Sequence, residues 1–210
     1  MDVTLKLPFS MLLSGPSGCR KTTFVKRLLM NMDQMLSHMP DKVVWCYGEY
    51  LPEFVELSQR IPQIHFIEGI PSNIYDLFDP SKQSLLIMDD LMEQSAGDAQ
   101  VTQLFTKGSH HRGISPIILV QNIFYKGLRS VSLNCHYICL FKQVRDRSQS
   151  ITLAHQMFPG GVHYFTESYL DATKDPFSYL LVDCTSQCPE EYRLRAQIFP
   201  EEFTHCYVKK

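Results

Sequence analysis

The chain has 210 residues, of which 44% are hydrophobic and 11% aromatic, and its formal net charge is −2. Such a chain can bury one substantial core but has no room for a large second domain, so a single domain over residues 1–210 is predicted. No apolar run reaches the ~20 residues of a membrane span, and the start of the chain lacks the regions of a signal peptide, so we expect a soluble, intracellular protein without a membrane partner.

Short apolar runs alternate along the chain with stretches of helical periodicity. The runs predict strands at Phe9 to Leu13, Val43 to Tyr47, His65 to Ile67, Leu85 to Met88, Ile117 to Val120 and Tyr137 to Phe141, followed by two short strands around Tyr179 to Val182 and Arg193 to Ile198. Helices are predicted at Thr22 to Met35, Pro52 to Arg60, Ile74 to Phe78, Ala99 to Lys107 and Ser148 to Met157. Short buried strands separated by helices indicate a mostly parallel sheet that is covered on both faces.

A glycine-bearing loop, Gly-Pro-Ser-Gly-Cys-Arg-Lys-Thr at residues 15–22, joins the first predicted strand to the first predicted helix. In such a phosphate-binding loop the backbone N–H groups point at the phosphates, Lys21 reaches the β- and γ-phosphate oxygens, and the Thr22 hydroxyl ligates Mg²⁺. The predicted cofactors are therefore ATP and Mg²⁺. The predicted nucleotide-binding residues are Gly15, Pro16, Ser17, Gly18, Cys19, Arg20, Lys21, Thr22 and Thr23.

Arg20 departs from this pattern, because glycine normally precedes the lysine. If the position needs a positive φ, arginine costs about 1–2 kcal/mol there. Three interpretations stay open. The side chain turns outward to solvent or DNA, it adds a positive charge beside the phosphates, or the loop binds nucleotide without hydrolysing it.

The run Leu85 to Met88 ends in two carboxylates, Asp89 and Asp90, the second element expected of a phosphate-loop NTPase. We expect Asp89 to hold Mg²⁺ through water and Asp90 to act as the general base toward the attacking water. Glu93 and Glu49 are reserves for the base, because glutamate is more usual at that position. The alternative is that Asp90 only caps the following helix. Together the two motifs predict an α/β P-loop NTPase fold of the ASCE or RecA-like type, a three-layer sandwich with a mostly parallel central sheet.

The run Ile117 to Val120 ends in Gln121. An amide at the end of a strand next to the phosphate loop can hydrogen-bond both the γ-phosphate and the attacking water, so Gln121 is the candidate sensor of the bound nucleotide. The alternative is a strand-end amide that only satisfies loop backbone groups.

Arg112 precedes the sensor strand and is the leading candidate for an arginine finger, a residue from a neighbouring subunit that neutralises charge in the transition state. Arg147 is the second candidate, and the alternative for either arginine is contact with solvent or DNA phosphate only. Both lie in residues 99–147, which carry seven basic residues and one acidic residue (net +6), whereas residues 47–98 carry ten acidic and two basic residues (net −8). The basic stretch is a candidate surface for a polyanion, and the alternative is an ordinary solvated face.

Zinc is disfavoured at both sets of candidate ligands. Adjacent His110 and His111 point to different sides of a helix or strand, and the spacing of Cys184, Cys188 and His205-Cys206 fits no regular zinc module. The seven cysteines are odd in number and scattered through predicted core segments, which favours reduced thiols. Aromatic residues of the basic stretch could stack on nucleobases. Phe105 and Tyr137 fall on expected core positions, which leaves only Phe124 and Tyr125 for this role. Contact with DNA phosphates is therefore favoured over base stacking.

Four runs carry a family resemblance: residues 104–112, Val120-Gln121-Asn122, Ser132-Leu133-Asn134 and residues 141–149. With the phosphate loop and the Asp89-Asp90 strand, the chain resembles the FtsK/HerA superfamily of DNA-pumping ATPases. Within that superfamily it is most similar to the short genome-packaging ATPases of large double-stranded DNA viruses of the poxvirus type and of virus-like Polinton or adintovirus elements.

The resemblance implies an ATPase that pumps double-stranded DNA into a capsid without reading its sequence. It also implies a ring of six or five subunits, a partner at the capsid or portal vertex, and a location at the assembly site in the host nucleus or cytoplasm, or in the virion. Two other functions stay open: a different P-loop NTPase, such as a small-molecule kinase or a switch, and a scaffold that binds nucleotide without hydrolysing it.

Overall fold

A nine-stranded sheet forms the centre of the computed structural model, which describes residues 4–108 and 112–209. Its strands are β1 (Met11–Ser14), β2 (Lys42–Tyr47), β3 (Ile64–Glu68), β4 (Ser84–Asp89), β5 (Ile114–Val120), β6 (Tyr137–Phe141), β7 (Tyr179–Asp183), β8 (Leu194–Ala196) and β9 (His205–Tyr207). They lie in the order β3-β2-β4-β5-β1-β6-β7-β8-β9. The strands from β3 to β6 in this order pair in parallel, and β7, β8 and β9 add antiparallel pairs at one end. The predicted α/β fold with a mostly parallel sheet is confirmed.

Helices cover both faces of the sheet. They are α1 (Lys21–Met30), α2 (Met32–Met35), α3 (Glu53–Arg60), α4 (Met92–Ser95), α5 (Ala99–Gln103), α6 (Arg129–Leu133), α7 (Ser148–Met157) and α8 (Val162–Ala172), with short 3₁₀ turns at Ile74–Leu77 and Glu190–Tyr192 and a π-helical turn at Leu104–Gly108. Because side chains alternate along a strand, Leu12 and Leu13 of β1 enter the two different apolar layers. Within the described ranges, none of the helices combines the length and the apolar character of a membrane span.

The first helix is shorter than predicted. The pattern predicts one helix from Thr22 to Met35, but α1 ends at Met30, and Asn31 leaves the helical conformation with φ −121°. The Asn31 side chain donates a hydrogen bond to the carbonyl of Arg27, and α2 continues from Met32. Asparagine competes for backbone hydrogen bonds in this way, so it ends helices readily.

Candidate nucleotide-binding site

The loop over residues 15–20 follows β1 and leads into α1, at the edge of the sheet where the parallel strands end. Gly15 is needed because a Cβ at this position would lie 2.6 Å from Cys19 Sγ and 2.7 Å from Phe141 Cβ. The Lys21 ammonium donates hydrogen bonds to the carbonyls of Gly15 (2.6 Å) and Pro16 (3.1 Å). The lysine thus lies across its own loop, with its charge at the place where the loop would enclose phosphates.

Arg20 has the left-handed conformation, with φ 72° and ψ 32°, directly before α1. The position therefore needs the positive φ that makes a non-glycine residue costly. The side chain is exposed but does not extend away from the protein: its guanidinium lies over the Phe177 ring, 3.9 Å from the centroid. None of the three interpretations of Arg20 included this contact.

Thr22 and Asp89 are in direct contact, although they lie 67 positions apart in the chain. The Thr22 hydroxyl donates to Asp89 Oδ2 at 3.0 Å. Burial raises the pKa of the Asp89 carboxyl above its usual value, against the opposite effects of the Thr22 hydrogen bond and the Lys21 charge. A half-buried carboxylate beside a hydroxyl gains from a cation, and both groups are the hard oxygen ligands that Mg²⁺ prefers, so the residues present fit this ion.

Asp90 has φ 56°, a left-handed conformation, and its backbone lies close to the end of β2. A Cβ on Gly48 would lie 2.6 Å from the Asp90 carbonyl oxygen, and the Gly48 N–H donates to the Asp89 carbonyl at 3.0 Å. Helix α4 begins at Met92, and its N-cap position is occupied by Leu91 and not by Asp90. The alternative in which Asp90 is the N-cap residue of the following helix is therefore not observed.

Gln121 follows β5, which pairs directly with β1, so it lies beside the phosphate loop as predicted. Its backbone carbonyl accepts a hydrogen bond from Gln143 Nε2 at 2.9 Å. The neighbouring Asn122 provides a hydrogen-bond partner for a backbone group of the loop, since its Oδ1 accepts a hydrogen bond from the Phe124 N–H at 2.7 Å.

One cleft of about 680 Å³ brings most of the predicted site together. Its lining includes Ser17, Gly18, Arg20, Lys21, Thr22, Thr23, Asp89, Asp90 and Gln121, together with the reserves Glu49 and Glu93. Gly15, Pro16 and Cys19 form the loop without lining this cleft. Residues from β1, β4 and β5 thus converge at one edge of the sheet, as is usual for ligand sites in parallel α/β proteins.

Arg112 lies at the opposite edge of the sheet, where β5 begins. It lies two residues before β5, a strand of seven residues that is about 23 Å long at about 3.3 Å per residue. Its guanidinium lies 4.0 Å from the centroid of the Tyr75 ring. Arg112 therefore does not reach the cleft of its own chain, whereas Arg147 directly precedes α7 on the loop after β6, at the edge where the phosphate loop lies.

The basic stretch does not form one surface. All seven of its basic side chains are exposed, but Arg112 lies at one edge of the sheet, and Lys142, Arg145 and Arg147 follow β6 at the other. Phe105 and Tyr137 are core residues, as expected, with exposures of 2% and 3%.

His110 and His111 fall outside the described residues. Among the residues that the structure does describe, no three or more His, Cys, Asp or Glu side chains are grouped to hold a metal ion. Burial raises the pKa of Cys184 to about 12 and that of Cys188 to about 11, so both are neutral thiols. No disulfide joins any of the seven cysteines, all of which lie in the described ranges.

Two residues next to the site were not predicted from the sequence. Gln143 links the loop after β6 to Gln121, and Phe177 contacts Arg20. Gln143 lies in one of the runs that carry the family resemblance, and this could have marked it. Phe177 follows Asp175-Pro176, a turn signal that says nothing about a contact with a loop more than 150 residues earlier.

Comparison with known proteins finds similarity only at the level of structure, since neither a protein-family model nor a curated protein matches the chain. The chain is similar to B204, the DNA-packaging ATPase of Sulfolobus turreted icosahedral virus, with a TM-score of 0.60 and 13% identity over 98% of this chain and 100% of that one. It is also similar to the genome-packaging NTPase B204 of Sulfolobus turreted icosahedral virus 2 in complex with ATPγS (TM-score 0.59, 10% identity, 96% and 98% coverage). A third similar structure is the cytoplasmic domain of the type VII secretion ATPase EccC of Thermomonospora curvata (TM-score 0.54, 12% identity, 84% and 24% coverage). At such identities the similarity establishes a shared fold.

Proposed function

We propose that this chain is an ATPase of the FtsK/HerA type that moves double-stranded DNA into the capsid of a virus or virus-like element of the poxvirus or Polinton type. The observation that carries the proposal is the convergence of the phosphate loop, the Thr22–Asp89 contact and Gln121 in one cleft. The fold shared with two viral packaging NTPases, along almost the whole length of both chains, supports the same function.

Each side chain in the cleft has a role that its position supports. Lys21 would exchange its bonds to the loop carbonyls for bonds to the β- and γ-phosphates. Thr22 and Asp89 would hold Mg²⁺, which when bound neutralises phosphate charge. Asp90 would accept the proton of the attacking water, and Gln121 would orient that water against the γ-phosphate.

Double-stranded DNA would be held by its backbone, through exposed basic residues that follow β5 and β6 at the edge of the sheet where the cleft lies. These residues are Lys126, Lys142, Arg145 and Arg147. Such contacts neutralise phosphates without reading bases, and their strength falls steeply with salt. Because Arg112 lies far from its own cleft, its proposed role as a finger requires a neighbouring copy in a ring of six or five subunits. The capsid or portal vertex at the assembly site, in the nucleus, the cytoplasm or the virion, is the proposed partner.

Stimulation of ATP turnover by duplex DNA tests this function. Wild type should hydrolyse ATP faster with DNA of any sequence, and Lys21→Ala should abolish turnover. Lys26→Ala is the matched control, because Lys26 lies on the same helix and faces Glu53 at 3.5 Å on the surface. Turnover without DNA stimulation would favour another P-loop NTPase, and ATP binding without turnover would favour the scaffold.

A gel-shift series in rising salt tests the DNA contact separately. We expect binding at low salt that is indifferent to sequence and is lost as the salt concentration rises. Absence of binding at every salt concentration would contradict the translocase proposal.

A further inference from the structure

Arg20 and Phe177 form an unusual pair beside the phosphate loop. Both have positive φ, 72° and 66°, a conformation that is uncommon for large side chains and costs free energy in each case. The Arg20 guanidinium covers the Phe177 ring at 3.9 Å, yet 48% of Phe177 is exposed. Two strained residues that hold an aromatic ring at the surface of a ligand loop point to a function for that ring.

The segment that carries the ring is anchored by the start of β7 and by the turn before it. Phe177 lies two residues before Tyr179, the first residue of β7, and Tyr179 contacts Phe24 of α1 edge-to-face, with ring centroids 4.9 Å apart. The turn before β7 is closed by the Ser178 hydroxyl, which donates to the Asp175 carbonyl at 2.7 Å. The segment that carries Phe177 is therefore anchored beside α1, and the ring itself contacts Arg20 directly before that helix.

The direction in which a nucleotide must lie follows from the strand order. Asp89, Asp90 and Gln121 follow β4 and β5 on one side of β1, so the γ-phosphate must point to that side. The nucleoside is attached at the other end of the triphosphate, and it must therefore leave the loop toward β6 and β7. Phe177 lies on that side, two strands from β1, which is about 10 Å at about 4.8 Å per strand.

We propose that the Phe177 ring, backed by the Arg20 guanidinium, is the platform on which the base of the bound nucleotide stacks. This inference rests on the nucleotide site of the proposed function and assigns its base-binding residue. Every nucleobase has a face that can stack on an aromatic ring, and a neighbouring arginine adds a cation–π contribution. A platform of this kind should favour purines, which stack over a larger area, and should distinguish little between ATP and GTP.

Calorimetric titration with two probes, ATP and inorganic tripolyphosphate, each with Mg²⁺, tests the proposal without measuring turnover. Tripolyphosphate engages the phosphate loop but has no base. Phe177→Ala should bind ATP about 5- to 150-fold more weakly, the range for one lost base stack, and should bind tripolyphosphate as wild type does. Phe177→Trp should restore ATP affinity. Phe203→Ala is the matched control, since Phe203 is an exposed aromatic residue (89%) in the turn between β8 and β9.

The possible results separate this inference from the proposed function. An equal loss of ATP and tripolyphosphate binding in Phe177→Ala would make the ring a support for the loop and would overturn the inference. Unchanged ATP binding in that variant, or wild type that binds both probes equally tightly, would also overturn the inference but would leave the phosphate site in place. Wild type that binds neither probe would overturn the nucleotide site itself, and the platform with it.

Discussion

Two substitutions of Arg20 should differ in stability because of the backbone at that position alone. Arg20→Gly and Arg20→Ala both remove the guanidinium from Phe177, a contact worth about 0.5–1 kcal/mol at an exposed site. They differ because Arg20 has φ 72°, which glycine adopts freely. At this φ, strain destabilises a residue with a Cβ by about 1–2 kcal/mol. The greater conformational freedom of glycine in the unfolded chain destabilises the glycine variant by about 0.5–1 kcal/mol, which reduces the difference between the two variants.

We therefore expect Arg20→Gly to be more stable than Arg20→Ala by about 1 kcal/mol, which for a chain of this length is about 2–4 °C in melting temperature. Relative to wild type, Arg20→Gly should change little, since the relief of strain roughly offsets the lost cation–π contact. Urea unfolding of the three proteins measures these differences as shifts of the midpoint at constant slope.

Arg147 provides the control, because it is also an exposed arginine directly before a helix but has φ −71°. At Arg147 the order should reverse, with the alanine variant more stable than the glycine variant. If Arg20→Ala proved as stable as Arg20→Gly, residue 20 would not be held at positive φ, and the strain argument for this loop would fail.

Three further predictions concern other positions. Asp183→Asn should lower the free energy of unfolding by about 3–5 kcal/mol, because it leaves the buried Arg195 guanidinium, 2.7 Å from the carboxylate, without its counter-charge; a loss under about 1 kcal/mol in urea would contradict this. The raised pKa of Asp89 means that the folded chain binds more protons than the unfolded chain between the two pKa values, so stability falls as the pH rises through that window. Asp89→Asn should therefore melt higher than wild type at neutral pH without ligand and lose any stabilisation by Mg²⁺ with ATP, and a lower melting temperature would argue against burial as the main effect. Gly48→Ala should cost about 1–3 kcal/mol, since its Cβ would lie 2.6 Å from the Asp90 carbonyl oxygen, and an unchanged melting curve would refute that close approach.

The parallel strands could be predicted because they are buried on both faces and therefore appear as continuous apolar runs. Helix α8 (Val162–Ala172) was not predicted, since polar and aromatic residues such as His163 and Thr166 interrupt its apolar pattern, and β9, three residues long, is too short to show alternation. The members of the site could be predicted because the phosphate loop and the strand-end carboxylates and amide are local patterns. The Phe177 contact and the splitting of the basic stretch depend on tertiary packing, which local patterns do not contain.

The sheet places the two candidate finger arginines at opposite edges, and this fixes what each could do. Arg112 precedes the strand whose far end carries Gln121, so it can meet a nucleotide only if a neighbouring copy presents its cleft to the start of β5. Arg147 precedes α7 at the edge of its own cleft, so a ring that joins copies at the same level would bring Arg147 toward the next nucleotide instead. These two possible arrangements, one that uses Arg112 and one that uses Arg147, differ in how far neighbouring copies are displaced along the strand direction. Removal of Arg112 and of Arg147 in turn, followed by measurement of turnover, would identify which of the two arginines, and therefore which displacement, the proposed ring uses.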